Sequence, residues 1–245
     1  MFTLSFANKH LTAGDLFYSK RAEGASRNMA KAQNVTEAIK HYRLALEDPA
    51  SREEAAWKLL KAYYFLGCFT MPEARDRKVL FERAKKEGRA FLKEFPNNTE
   101  LVYWHSVCLA LWAKEVNPLV ALNAGSAKET RDIAQQLIAT EKNGDSIAAA
   151  RGYLILGMAH HKIPKIAVIL NWVNKDSVEH YLKKSFSLNP KDLSARLALA
   201  EYYKEKKNMD AARAVLLPVL RNKPRPEEFL EDERNFNKMR SLLES

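Results

Sequence analysis

The side chains of this 245-residue sequence that could do chemistry are its six histidines, its two cysteines and a spaced set of aromatic residues. His160 and His161 are adjacent, so on a helix they point about 100° apart and do not readily share a metal ion. His105 stands in an apolar run, where an imidazole that packs or lines a cleft is the expected role. The sequence has no HExxH and no glycine-rich phosphate loop, and no GxSxG. Its carboxylates sit mostly beside lysine or arginine, the arrangement of ion pairs and not of an acid/base dyad. Cys68 and Cys108 form no CxxC and lie among apolar residues. Two free buried thiols are expected, and a disulfide would require their helices to touch. No catalytic residue, metal site or cofactor follows from these patterns. What stands out is a stripe: Trp104, His105, Cys108, Leu111 and Trp112 recur at steps of three and four. For any one of these residues, packing between helices is the simplest role.

A stripe with that period needs a helix, and helix formers dominate the chain while no segment alternates with period two. The stretch Leu193 to Pro224 shows how the helices are organised. Leu199, Ala200, Tyr203, Ala212, Leu216, Val219 and Pro224 fall at the spacing of a helical hairpin that resembles a tetratricopeptide (TPR) repeat. Ala200 and Ala212 let the two helices approach, Tyr203 and Leu216 fill the groove between them, and Pro224 stops the second helix. One hairpin cannot bury its own apolar face, so copies should stack on it. Distorted copies are present. Trp57, Leu60, Lys61 and Tyr64 match one first helix, with Ala84, Gly88, Phe91 and Pro96 matching its partner. Leu101, Trp104, His105 and Cys108 open a middle unit. Tyr153, Leu156, Gly157 and His160 open the next, completed by Val178, Leu182, Ser185 and Pro190. The unit ends Pro49, Pro96, Asp145, Pro190 and Pro224 are 47, 49, 45 and 34 residues apart, so only the last unit has the standard length. The three longer units are expected to carry about a dozen extra residues between their two helices. The fold class is therefore all-α: a TPR-like solenoid of about five helix pairs, with inserts in the middle ones. Residues 1–12 read as a tail, 13–225 as the repeat domain, and 226–245 as a C-terminal capping helix with acidic residues near its start.

Hydrophobic residues make up 47% of the chain, enough for a large core. The net charge is +10. The basic residues are spread over most helices, and the densest run, Arg75 to Lys93, is interleaved with Glu73, Asp76, Glu82, Glu87 and Glu94. That is the pattern of a solvated face laced with ion pairs, and no RNA-binding or helix-turn-helix signal accompanies it. Nucleic acid is not an expected partner. No run of 18 apolar residues is present to span a membrane.

Two apolar inserts, Leu119 to Ala124 and Lys165 to Val173, flank the striped helix and its neighbour. Inserts of this kind have no room in a repeat core and should cover a face or cleft. A ligand cleft is accordingly expected between the 103–112 and 153–161 helices. Its candidate lining is Trp104, His105, Cys108, Trp112, Tyr153, Leu156 and His160, with Pro164 setting the exit of the second insert and Trp172 as its bulkiest anchor.

Tyr103-Trp104-His105 with Leu111-Trp112, then Leu156-Gly157, Ile163-Pro164, and Val178 to Pro190 ending in SLNP also resemble the T-components, TPR-like subunits associated with tripartite ATP-independent periplasmic (TRAP) transporters. The resemblance covers about Ala38 to Pro224. It implies a non-enzymatic accessory protein that works with a periplasmic solute-binding subunit and binds or transfers a small apolar or amphipathic ligand. It implies a periplasmic or exported location, although neither a complete signal peptide nor a lipid-attachment cysteine is visible and a cytoplasmic location stays open. Homo-oligomer formation also stays open. The alternative is a generic TPR scaffold that holds a protein partner on its concave face. A lower similarity links the same pattern to mitochondrial microtubule-regulating TPR proteins.

Overall fold

Six helices begin at an aspartate or asparagine whose side chain accepts a backbone N–H of the first turn: Asp48, Asn98, Asn117, Asp145, Asp192 and Asn208. Each such cap satisfies a donor that the helix leaves unpaired and is worth about 1 kcal/mol. They punctuate a chain in which, among the described residues, twelve α-helices occur and no strand. The structure, a computed structural model, describes residues 6–26, 28–164 and 170–244. The chain divides into two compact units, Met1–Ala124 and Gly125–Ser245.

The first unit holds α1 (Phe6–Ser19), α2 (Ala32–Ala45), α3 (Pro49–Phe69), α4 (Ala74–Glu94), α5 (Thr99–Glu115) and the short α6 (Pro118–Asn123). Successive helices pack on each other, and α3 also packs directly on α1 and on α5. The odd-numbered helices therefore form one layer of this unit. Its core is aromatic: Tyr42, Tyr63, Phe65, Phe69 and Phe81 are almost fully buried. The second unit holds α7 (Ser126–Ala139), α8 (Ser146–Lys162), α9 (Val178–Leu188), α10 (Leu193–Glu205), α11 (Met209–Leu216) and α12 (Phe229–Glu244). Here α8 packs on α7, α9 and α10, and α10 packs on α11 and α12. Leu182, Leu199, Ala200, Tyr203, Ala212, Leu216 and Val219, the residues of the clearest repeat and its neighbour, form one buried cluster with Phe236 and Met239 of α12.

Close approach between helices is set by small-to-large pairs. A Cβ added to Gly14 would lie 2.5 Å from the Tyr42 ring, one at Gly67 would lie 2.4 Å from Phe81, and one at Gly88 would lie 2.3 Å from His105. In the second unit a Cβ at Gly157 would lie 2.8 Å from Leu182 Cδ2. At Gly152 it would meet backbone, 2.7 Å from the Ala134 carbonyl oxygen and 2.8 Å from the Ile138 nitrogen. The large side chain of each pair sits where interior packing leaves no second choice.

Two sequence expectations need correction. Residues 6–12 of the expected tail are helical, as the start of α1. That helix stops at Ser19, and the chain then turns through Gly24 and Asn28, both with φ of 68°, where Ser26 and Met29 exchange backbone hydrogen bonds. The extra residues of the unit ending at Pro96 do not form an insert: α3 and α4 are each 21 residues long, and the surplus is helix. The boundary between the two compact units, after Ala124, falls inside the expected middle repeat. The capping helix runs Phe229–Glu244 after a 3-10 turn at Pro226–Glu228. Of its early acids, Asp232 does more than favour the helix dipole. It is 2% exposed and accepts hydrogen bonds from the backbone and guanidinium of Arg225 at 2.7–2.9 Å.

Candidate functional site

The outer stripe of α3 is Trp57, Lys61, Tyr64 and Cys68, all half-buried at helical spacing. Residues of the neighbouring helices in the layer meet it. The Lys61 ammonium lies 5.5 Å from the ring centre of Tyr18 on α1 and 5.5 Å from that of Trp104 on α5. Tyr64 packs on Trp104 at 5.5 Å, and Tyr103 meets the same ring edge-on at 5.1 Å. Lys58 reaches over Trp57 at 5.5 Å while pairing with Asp15 and Glu54, each at 2.6 Å. Cations held over aromatic faces in this way gain from the ring quadrupole. This face thus presents the half-buried rings of Trp57, Tyr64, Tyr103 and Trp104 from α3 and α5, with Lys61 among them and the buried Tyr18 of α1 beneath.

Behind that layer α2, α3 and α4 are locked together by charge. Arg43 of α2 hydrogen-bonds both the Tyr63 hydroxyl and the Glu87 carboxylate, the latter at 2.7 Å. Tyr63 donates to Glu87 at 3.0 Å, and Arg83 also donates to it at 3.0 Å. Burial opposes the ionisation of Glu87, but the hydrogen bonds from Arg43 and Arg83 outweigh it and hold its pKa below the usual carboxylate value. Burial, and then the neighbouring carboxylate, push Tyr63 up. This cluster is structural: all its partners are engaged with one another.

In the second unit a ladder of rings runs across α8, α9 and the turn before α9. Tyr153 stacks on Tyr181 at 6.3 Å, Tyr181 stacks on His160 at 5.2 Å with the rings 9° apart, and Trp172 meets His160 edge-on at 5.5 Å. Arg131 of α7 lies 5.6 Å from the Trp172 ring. The Tyr153 hydroxyl donates to Glu141 at 2.9 Å, and Lys184 pairs with the same carboxylate at 2.8 Å. The Lys184 and Tyr153 hydrogen bonds hold Glu141 below its ordinary pKa. Trp172 is held by its own turn, in which Leu170 and Val173 are 4% and 0% exposed and the Val173 amide donates to the Leu170 carbonyl at 3.0 Å.

The nine expected site residues divide between the units, four in the first and five in the second. His105 and Cys108 are fully buried, and Trp112 is 2% exposed. His105 fills the hole at Gly88. Cys108 contacts the Leu60 carbonyl at 3.5 Å, with burial pushing its thiol pKa up. Trp112 lies under the buried Lys85 ammonium at 3.3 Å. These three are core residues, and of the first four only Trp104 reaches the surface. In the second unit Leu156 is buried and Pro164 is exposed, while Tyr153, His160 and Trp172 do come together. Residues 165–169 of the expected roof lie outside the described residues. The other insert is the helix α6, whose Leu119 and Val120 are 67% and 51% exposed. Sequence reasoning missed Tyr181 and Arg131 in the ladder. Both lie on second helices of the hairpins, whereas the sequence stripes lie on first helices. It also missed Lys61 as a bridge between rings, although its place in the stripe Trp57, Lys61, Tyr64 was legible. Among the described residues no cluster of three or more His, Cys, Asp or Glu is arranged to hold a metal ion, and no helix is long and apolar enough to cross a membrane.

No family model matches the chain, and no curated protein matches it. Among solved structures it is similar to TTC0263, a thermophilic TPR protein of Thermus thermophilus, with 17% identity, a TM-score of 0.64, and coverage of 98% of this chain and 100% of that one. Yeast Tom70 aligns over 98% of this chain and 66% of its own at 13% identity, with a TM-score of 0.23. The layered helical hairpins and the first of these likenesses together give the chain an all-helical, TPR-like fold.

Proposed function

We propose that this protein is a non-enzymatic helical-repeat scaffold that holds an extended segment of a protein partner along the α1–α3–α5 face of its first unit. The observation that carries the reading is the row Tyr18, Lys61, Trp104 and Tyr64, in which half-buried Lys61 lies between the buried ring of Tyr18 and the half-buried ring of Trp104, against which Tyr64 packs. Rigid aromatic rings bury much area at low cost in side-chain entropy, which is why they dominate recognition surfaces. The test is selection of a random-peptide display library on the full chain. Selected peptides should bind the native chain and lose at least tenfold in affinity on Tyr64→Ala or Lys61→Glu, two variants whose melting temperatures should stay close to that of the native chain. Peptides indifferent to both changes, or no selection at all, would remove this face from the reading.

A narrower reading follows the T-component resemblance. The partner is then a periplasmic solute-binding subunit, and a small apolar or amphipathic ligand is bound or passed on. The exposure of Leu119 and Val120 on the apolar insert helix favours it. An apolar fluorescent probe, 1-anilinonaphthalene-8-sulfonate, should bind the native chain and bind more weakly to Val120→Asp. Equal binding to both would leave the scaffold reading alone.

A further inference from the structure

The adjacent histidines at the end of α8 make opposite demands on the proton. His160 Nδ1 accepts a hydrogen bond from the Asn174 backbone N–H at 2.9 Å, which only a ring with an unprotonated Nδ1 can do. His161 Nε2 faces the Glu205 carboxylate of α10 at 2.6 Å and can donate to it whether or not its other nitrogen carries a proton. Lys175 completes the junction by donating to the carbonyls of His161 and Ile163 at 2.8 and 2.9 Å, which lie at a helix C-terminus where the helix itself supplies no donor.

We infer that the turn from Leu170 to Asn174 is a pH-operated clamp, anchored at its end by the Lys175 hydrogen bonds, closed on α8 by the His160–Asn174 hydrogen bond and opened when His160 takes up a proton, uncovering the His160–Tyr181 ring pair. A proton added at Nδ1 turns the acceptor into a donor facing another donor, so the bond is replaced by repulsion. The groups around the imidazole do not compensate. Tyr181 offers a ring face from α9, Trp172 a ring edge from the turn, and Arg131 a second cation beyond Trp172 from α7. From the turn itself Lys175 places another positive charge nearby, and the Glu205 carboxylate of α10 is engaged by His161 and Lys162. Burial, and then Lys175, hold the His160 pKa below its ordinary value. The clamp is therefore intact above the unfolded histidine pKa of about 6.5 and is lost as pH falls through the lower folded value. The rest of α8 stays in place, because its hold on α9 is the apolar fit of Gly157 against Leu182 and its hold on α10 is the His161–Glu205 pair.

Amide hydrogen exchange of the full chain, followed residue by residue by NMR from about pH 7.5 to about pH 4.5 after correction for intrinsic rates, reads the clamp directly. Asn174 protection should fall by about tenfold per pH unit below the folded pKa of His160. The Leu182 amide, in the buried helix beneath, should keep its protection. In His160→Gln the side-chain carbonyl can accept from Asn174 at every pH, so the pH response of Asn174 should vanish. In His161→Gln it should persist. A flat Asn174 profile in the native chain, the same slope in His160→Gln, or a loss of Leu182 protection in step with Asn174 would each overturn the clamp.

Discussion

The two units each carry a surplus of about a dozen residues over a 34-residue repeat and dispose of it differently. In the first, the extra residues lengthen α3 and α4 to 21 residues each, joined by only the four residues from Thr70 to Glu73. In the second, α8 and α9 are 17 and 11 residues long, and the surplus lies between them, in the stretch that ends with the Trp172 turn. Longer helices can bury more aromatic surface against each other. The first unit accordingly has Phe65, Phe69 and Phe81 at full burial and packs glycines against rings. The second packs glycines against an aliphatic side chain and against backbone, and keeps Tyr153, Tyr181 and Trp172 half-exposed beside a turn. The comparison suggests where each unit is robust. Helical surplus adds core, while surplus in a turn adds surface whose attachment rests on a few hydrogen bonds.

The largest effect expected from this contrast is at Phe81. It is fully buried and its ring fills the hole at Gly67. Phe81→Ala should cost about 3–5 kcal/mol, the range for losing a core phenylalanine, as measured by denaturant unfolding. A loss near 1 kcal/mol would mean that the long helices of the first unit are not held by their rings.

Next come the glycines of α8. At Gly152 an added methyl meets, at 2.7–2.8 Å, the α7 backbone, which cannot move without displacing the helix, whereas at Gly157 it meets first the Leu182 side chain, with the Leu182 backbone nitrogen further off at 3.3 Å. Gly152→Ala should therefore cost about 2–3 kcal/mol and Gly157→Ala about 1 kcal/mol, within the range for overpacking. The reverse order would show that α8 is positioned by α9 and not by α7. In the first unit the matching experiment is a cycle. Gly88→Ala should destabilise, and His105→Ala in the same chain should recover part of the loss, with a coupling of about 1 kcal/mol between the two sites.

How much of this was legible follows from the kind of contact. The repeat code at Leu199, Ala200, Tyr203, Ala212 and Leu216 reads directly, because a small residue and a large one at helical spacing leave one way for two helices to meet, and all five are buried together. His105 was harder. It occupies a position where the repeat calls for a small side chain, and its meaning depends on Gly88, which is 17 residues away in sequence and on the preceding helix. No local pattern joins those two. The ladder was half visible for the same reason: Tyr153 and His160 share one helix face, but Tyr181 and Arg131 reach it from other helices. The length of α3 and α4 was misread as an insert because period alone does not say whether added residues extend a helix or leave it.

Trp172 gives the smallest and sharpest test. A core tryptophan would cost about 3–5 kcal/mol on truncation to alanine, and a free surface ring close to nothing. Trp172 is neither. Its ring is half-exposed, meets His160 edge-on at 5.5 Å and has the Arg131 guanidinium 5.6 Å from its centre. An edge-on aromatic pair adds about 0.5–1.5 kcal/mol beyond the area it buries, and an exposed cation over a ring about 0.5–1 kcal/mol. Trp172→Ala should therefore cost about 1–2 kcal/mol at neutral pH, well below Phe81→Ala. Because protonation of His160 removes the clamp that holds the turn, the same substitution should cost less at acid pH, where the ring has already left its partner. Equal costs at both pH values would mean that Trp172 stays on His160 whatever the state of the imidazole, and that the turn is fixed by Leu170, Val173 and the Lys175 hydrogen bonds.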